Sequence, residues 1–233
     1  MEEAKFFLRW IHFLAGITWI GILYYFNFVQ TPFFAETEAP VRTGAIQKLV
    51  PRALWWFRWG AMFTFLAGIL IYLMELAQQG AVTFYTGQYG VAITLGGLIG
   101  TIMFLNVWLV IWPAQQVVIA STNQVASGGQ ALPEAAARGR RSALTSRTNV
   151  VFSIPMLFFM GAARHYPSLV DPAARGHGIF WLLALIIIAA VEFNALSGTQ
   201  GATKKPLDSV DGALWSGFIL TAVLYFLILI ILR

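Results

Sequence analysis

Three histidines, His12, His165 and His177, are the residues of this chain best suited to chemistry. An imidazole can ligate a metal or exchange a proton near neutral pH. His12 lies within an apolar run, and an imidazole in an apolar medium is costly unless it is paired or acts as a ligand. His12 is therefore the first candidate for a functional residue.

The residues around His12 suit a haem. Positions three or four apart share one face of a helix, and this spacing groups Lys5, Arg9, His12, Gly16 and Trp19. Such a face offers an axial imidazole, a glycine that a flat macrocycle can approach, and cations for its propionates. We therefore expect a haem b whose site includes His12, Arg9 and Gly16. The structural alternative is that His12 bonds a neighbouring helix while Arg9 and Lys5 extend to lipid headgroups.

His165 is the expected second ligand of the haem iron, or a group that faces the substrate. Arg164 precedes it, and Tyr166-Pro167 would hold the end of its helix in place. Met160, about one turn earlier, is an alternative axial ligand. For His165 and His177 alike, exposure to water at a helix end is the competing interpretation.

The composition excludes several other kinds of site. The chain contains no cysteine, which excludes a covalently attached c-type haem, an iron–sulfur cluster and a disulfide. We find no nucleophile–base pair and no phosphate-binding loop. The net charge of +5 does not indicate nucleic-acid binding, because the basic residues lie between apolar runs.

The elements that must position these residues are membrane helices. Of the 233 residues, 58% are hydrophobic and only 11% are charged, too few charges to cover a soluble surface. The apolar runs predict an all-α polytopic bundle that forms a single transmembrane domain, 1–233. Six spans are expected at about 5–29, 55–76, 91–112, 149–165, 178–196 and 212–232. Glu75 lies near the end of the second span, where exposure accounts for it.

The distribution of charge predicts the orientation. Ten of the 15 basic residues lie on the side of segments 30–54, 121–148 and 197–209: Arg42, Lys48, Arg52, Arg58, Arg138, Arg140, Arg141, Arg147, Lys204 and Lys205. The positive-inside rule places this side in the cytoplasm and both termini on the outer, periplasmic side of a bacterial inner membrane. The segment from Arg138 to Arg147 suits contact with anionic headgroups or with a partner.

Several short motifs carry a family resemblance. They are Arg9-Trp10-Ile11-His12, Trp19-Ile20-Gly21, Trp56-Phe57-Arg58-Trp59, Gly100-Thr101-Ile102-Met103, Pro113-Ala114-Gln115-Gln116, Pro155-Met156-Leu157-Phe158 and His165-Tyr166-Pro167. In this order, they resemble the N-terminal membrane domain of the PuuD-type urate hydroxylases. The first span also resembles that of HemJ-type and CopD-like haem-binding membrane proteins.

The resemblance implies a membrane domain that oxidises urate and passes electrons to a tethered cytochrome c domain. This sequence has no Cys-x-x-Cys-His motif, and Thr94 and Thr148 stand where the resemblance implies histidines. We therefore expect a short form that does not oxidise urate alone. The expected function is that of a membrane-embedded redox protein that binds haem b near the outer face and passes electrons to a cytochrome c partner. The alternative is a non-catalytic accessory subunit that packs against a larger respiratory or photosynthetic membrane complex.

Overall fold

The computed structural model describes residues 2–233, and within them the fold is all-α. The long helices, in chain order, are α1 (Glu2–Glu36), α3 (Val50–Gln79), α5 (Gln88–Ala126), α6 (Ala135–His165), α7 (His177–Leu196) and α8 (Val210–Ile231). Two short helices, α2 (Ala39–Lys48) and α4 (Ala81–Thr86), connect them, and a 3₁₀ helix spans Ala202–Asp208.

The six long helices are each long and apolar enough to cross a bilayer. This confirms the predicted helical bundle of six spans, and the protein is an integral membrane protein. The bundle has two ends. The end that carries α2, the α5–α6 connection and the 3₁₀ helix is called the basic end below, and the end that carries α4 and the α6–α7 connection is called the opposite end. Which end faces the cytoplasm stays a prediction.

The helices extend well beyond the predicted spans. α5 continues to Ala126 and α6 begins at Ala135, so most of the segment expected as a loop over 121–148 is helical. The segment 30–54 also contains the end of α1, all of α2 and the start of α3. Hydropathy marks only the part of a helix that lies in hydrocarbon, whereas a helix can continue into water as long as its residues favour the conformation.

Two of the spans contain a π-helical segment that is separated by one residue from a following proline. The segments are Tyr25–Gln30 in α1 and Asn106–Ile111 in α5, and Pro32 and Pro113 follow each of them by two residues. Proline lacks an N–H, and its ring displaces the carbonyl four residues earlier, so a wider turn at this point relieves the clash.

α6 is the central helix of the bundle. In its most apolar window 67% of the residues are buried, compared with 11% to 44% in the other spans. Pro155 lies inside α6 and leaves the carbonyl of Val151 without its helical donor. Gly217 of α8 packs directly against this carbonyl, since a Cβ at Gly217 would lie 2.9 Å from the Val151 oxygen. The close approach of α8 to α6 therefore depends on a glycine.

Candidate functional site

His12 lies half-buried at the interface between α1 and α3. Its Nδ1 lies 2.8 Å from the backbone carbonyl oxygen of Thr64. The ring also packs against Gly68, where an added Cβ would lie 3.0 Å from Cε1 of His12. The position of the imidazole is therefore fixed by a hydrogen bond on one side and by the bare backbone of a glycine on the other.

The partner of His12 decides which of its nitrogens carries the proton. A backbone carbonyl can only accept a hydrogen bond, so Nδ1 of His12 must be the donor. In the neutral imidazole, Nε2 then holds a free lone pair. This is the tautomer in which many metal-ligating histidines are held by a second hydrogen bond.

The predicted face of α1 packs on α3. A Cβ at Gly16 would lie 3.8 Å from Cγ2 of Thr64, so this glycine faces the side chain of that threonine. Trp19 is buried, and a Cβ at Gly60 of α3 would lie 3.1 Å from its backbone nitrogen. The helices are therefore in contact over the stretch where the sequence predicted room for a macrocycle beside Gly16.

Glu75 of α3 is buried near the opposite end, with an exposed fraction of only 5%. The expectation that it is an exposed helix-end residue is therefore wrong. Nη2 of Arg9 and Nη2 of Arg164 each lie 2.8 Å from Oε1 of Glu75, and Nζ of Lys5 lies 3.4 Å from the same atom. A hydrogen bond from Gln79 reaches Oε2 at 3.3 Å. One carboxylate thus joins α1, α3 and α6.

The charges in this group do not balance. Lys5, Arg9 and Arg164 bring three positive charges to the single carboxylate of Glu75. Glu2 lies 3.5 Å from Lys5, but its side chain is 79% exposed and therefore contributes little. The excess of positive charge suits an anionic group at the same place. The sequence singled out Arg9 and Lys5, but Glu75 as their common partner was missed.

Comparison with protein families identifies the chain. The family model described as urate oxidase N-terminal matches residues 69–228. The chain belongs to the urate oxidase N-terminal family. The resemblance to urate hydroxylase membrane domains is therefore confirmed, whereas the haem-binding resemblance of the first span stays a prediction. No curated protein and no solved structure matched the chain.

The region that matches the urate oxidase N-terminal family runs from the second half of α3 to near the end of α8. It includes Glu75, Arg164 and His165. His12, Arg9 and Gly16 precede it. The match therefore covers five of the six long helices in whole or in part, and the roles of Glu75 and of α1 rest on the contacts described above.

The other two histidines of this urate oxidase N-terminal chain lie at helix ends. His165 is exposed at the last residue of α6, next to the arginine that reaches Glu75. His177 begins α7, and its Nε2 lies 3.1 Å from the carbonyl oxygen of Thr86. Over residues 2–233, no three His, Cys, Asp or Glu side chains gather as a metal site. His165 as second haem ligand stays a prediction.

Met160 packs on α5 instead of standing free for a ligand. A Cβ at Gly96 would lie 2.9 Å from Cγ of Met160, and one at Gly100 would lie 3.6 Å from its Cε. These small residues let α5 and α6 approach closely around the methionine. The alternative of Met160 as an axial ligand therefore has no support from its packing.

A buried polar group joins the three helices α5, α6 and α7. Nδ2 of Asn106 donates to Oδ1 of Asn149 at 2.9 Å and to Oε2 of Glu192 at 3.0 Å. Asn149 in turn donates to the carbonyl oxygen of Met103. Asn106 begins the π segment of α5, and each helix of the group supplies one polar side chain. Because Asn106 and Asn149 are buried, these hydrogen bonds stabilise the packing of the three helices.

Proposed function

We propose that this chain is a membrane-embedded redox protein that binds haem b near the opposite end of the bundle and passes electrons to a cytochrome c. The family supports a redox role, because its description refers to urate oxidase. The proposal places the haem at α1, with His12 as an axial ligand and His165 as the second ligand or as a group that faces the substrate. It assigns the protein to the inner membrane of a bacterium.

The hydrogen bond from His12 to the Thr64 carbonyl carries the proposal. It fixes the tautomer with a free lone pair on Nε2, which is the form that binds iron. It also holds the ring through a backbone carbonyl, with no acidic partner in the contact. Among the expected haem residues, His12 is the one whose observed hydrogen bond leaves a lone pair that could bind iron.

The cations around Glu75 are the expected partners of the propionates. Arg9 lies about one helical turn from His12, on the side of the opposite end. Arg9 and Arg164 both form an ion pair with Glu75. Guanidinium groups pair well with carboxylates because their N–H groups form a planar fork. Glu75 would act as a positioning residue for both arginines. When bound, the haem would supply one-electron exchange at this end of the bundle.

A second candidate, the accessory subunit, is favoured by a different observation. His12 and Gly16 already have partners on α3, and Arg9 already has Glu75, so the interface is complete as a packing unit. In addition, α7 and α8 present broad apolar faces, which a membrane complex could cover. Large exposed side chains on these two helices include Ile179, Leu182, Phe193, Trp215, Phe218 and Ile230.

Haem content distinguishes the two candidates. The purified wild-type protein should show b-type bands in the dithionite-reduced minus oxidised spectrum, and H12A should lose them. The matched control is H177A, which also removes a histidine that contacts a backbone carbonyl. A protein that is purified intact without haem, or an H12A variant with full haem content, would refute the haem proposal and leave the accessory subunit.

A further inference from the structure

Basic side chains gather at the basic end, where α6 meets the end of α7 and the 3₁₀ helix. They are Arg140, Arg141, Arg147 and Lys204, and we call them the inner basic cluster. One acid lies among them. Oδ1 of Asp208 lies 2.7 Å from Nη2 of Arg140, and the same carboxylate attracts Arg147 without forming an ion pair with it. The cluster therefore brings four positive charges to a region with one carboxylate, that of Asp208.

Two members of the inner basic cluster have a clear structural role. Arg141 donates to the carbonyl oxygen of Ala195, and the ammonium of Lys204 donates to the backbone and side-chain oxygens of Asn194. These oxygens belong to the last turn of α7, where the helix dipole is negative and carbonyls lack helical donors. Capping of α7 accounts for these two contacts, but the helix dipole and Asp208 together offset only part of the positive charge.

Arg147 has no such role. It is buried, with an exposed fraction of 7%, and its Nη1 has no hydrogen-bond partner. A buried N–H group without an acceptor is costly, so a ligand that accepts from Nη1 would be stabilising. Arg147 follows Arg140 by seven residues, which places both on one face of α6. Helical side chains lean toward the N-terminus, so Arg147 leans toward Arg140 and the basic end.

The positive charges of the inner basic cluster repel one another, and Lys204 shows the effect. Burial, followed by the positive charges of Arg141 and Arg140, lowers the pKa of the Lys204 ammonium. Desolvation is the main cause of the shift, and the repulsion from the two arginines adds to it. An anion between these side chains would offset part of this repulsion.

We propose that the inner basic cluster binds the phosphate group of an anionic ligand, with Arg147 as the buried donor and Arg140 at the rim. Phosphate oxygens accept several charge-assisted hydrogen bonds at once, and guanidinium groups match them geometrically. Basic pockets between membrane helices at the cytoplasmic surface commonly hold the phosphate of a lipid headgroup. A phosphodiester of an anionic lipid and free phosphate share this chemistry, and the experiment below distinguishes them.

The test uses the full chain in nanodiscs of phosphatidylcholine, with and without phosphatidylglycerol, and in a third sample with inorganic phosphate in the buffer. The readout is the thermal unfolding midpoint from tryptophan fluorescence. We expect the anionic ligand to raise the midpoint of the wild type by about 2–4 °C. R147Q should lose this gain. R138Q, which removes the same charge from an exposed position on α6, should keep it.

The outcomes separate the sources. A gain with phosphatidylglycerol alone assigns the site to a lipid headgroup, and an equal gain with inorganic phosphate assigns it to a soluble phosphate. If R147Q does not fold, R147K replaces it, because lysine keeps the positive charge but lacks the planar guanidinium fork. The rise in the unfolding midpoint of R147K should then be less than half of the wild-type rise. No gain in the wild type, or an equal gain in the Arg147 variant and R138Q, overturns the proposal.

Discussion

Nη2 of Arg164, at the end of α6, lies 2.8 Å from Oε1 of Glu75 on α3, a residue 89 positions earlier in the chain. The guanidinium of Arg164 also lies over the ring of Tyr89 at the start of α5, 4.3 Å from its centroid. The ion pair and the ring contact together tie three helices at the opposite end. Arg9 and Lys5 add α1 to the same carboxylate.

Removal of the Glu75 charge should loosen the opposite end. E75Q leaves Lys5, Arg9 and Arg164 facing one another without a carboxylate. We expect a loss of about 1–3 kcal/mol, which is below the cost for a fully buried pair because both arginines are partly exposed. The measurement is thermal unfolding in detergent. E3Q, at an exposed position, is the control and should unfold like the wild type. Equal midpoints for E75Q and the wild type would show that the carboxylate is not needed.

A side chain at position 68 should displace the His12 ring. A Cβ there would lie 3.0 Å from Cε1 and 3.1 Å from Nδ1 of His12, so the ring must shift and its bond to Thr64 is disturbed. If the haem proposal holds, G68V should reduce haem content several-fold, and G68A should have a smaller effect. G97A is the matched control, because nothing lies within 4 Å of a Cβ at Gly97. Full haem content in folded G68V would contradict this role of the glycine.

The contact between α6 and α8 should be sensitive to one methyl group. A Cβ at Gly217 would lie 2.9 Å from the Val151 oxygen and 2.5 Å from Cδ1 of Ile154. We expect G217A to destabilise the protein by about 1–3 kcal/mol, because the backbone oxygen cannot move aside freely. G161A on α6, where a Cβ meets open space, should be neutral in the same unfolding measurement. A neutral G217A would mean that the two helices can separate without cost.

Single cysteines can test the orientation, because the chain has none of its own. S127C reports on the α5–α6 connection and S168C on the α6–α7 connection, and both positions are exposed. The positive-inside rule predicts that an impermeant thiol reagent labels S168C on intact cells and S127C only after permeabilisation. The reverse pattern would place both termini in the cytoplasm.

We expect that the purified chain does not oxidise urate alone and works with other polypeptides. Electrons taken from a substrate must reach an acceptor, and the proposal assigns that step to a cytochrome c. The measurement is urate consumption by the purified chain with no cytochrome c or other electron acceptor added. Gentle extraction, a native gel and mass spectrometry would identify co-purifying subunits. Urate-dependent electron transfer by a monodisperse single polypeptide would contradict the prediction.

Much of the fold follows from the sequence alone. Six apolar runs are long enough to cross the hydrocarbon core, and backbone groups in lipid must be satisfied within each segment, which leaves the helix as the solution. The ends of the helices could not be predicted from the sequence. For example, the polar first half of α6 has no hydropathic signal. The two π segments also lacked a signal beyond the prolines that follow them.

The residue types of the candidate site could likewise be predicted, but their partners could not. A histidine and an arginine in an apolar run are costly without a partner, so the sequence alone predicts that His12 and Arg9 are functional or paired. Their partners, Thr64 and Glu75, lie 52 and 66 positions later in the chain. Only the packing of α1 against α3 decides that a backbone carbonyl fixes the tautomer of His12 and that a buried carboxylate gathers three cations. Such pairings depend on distances between helices, and the spacing of residues along one helix carries no information about them.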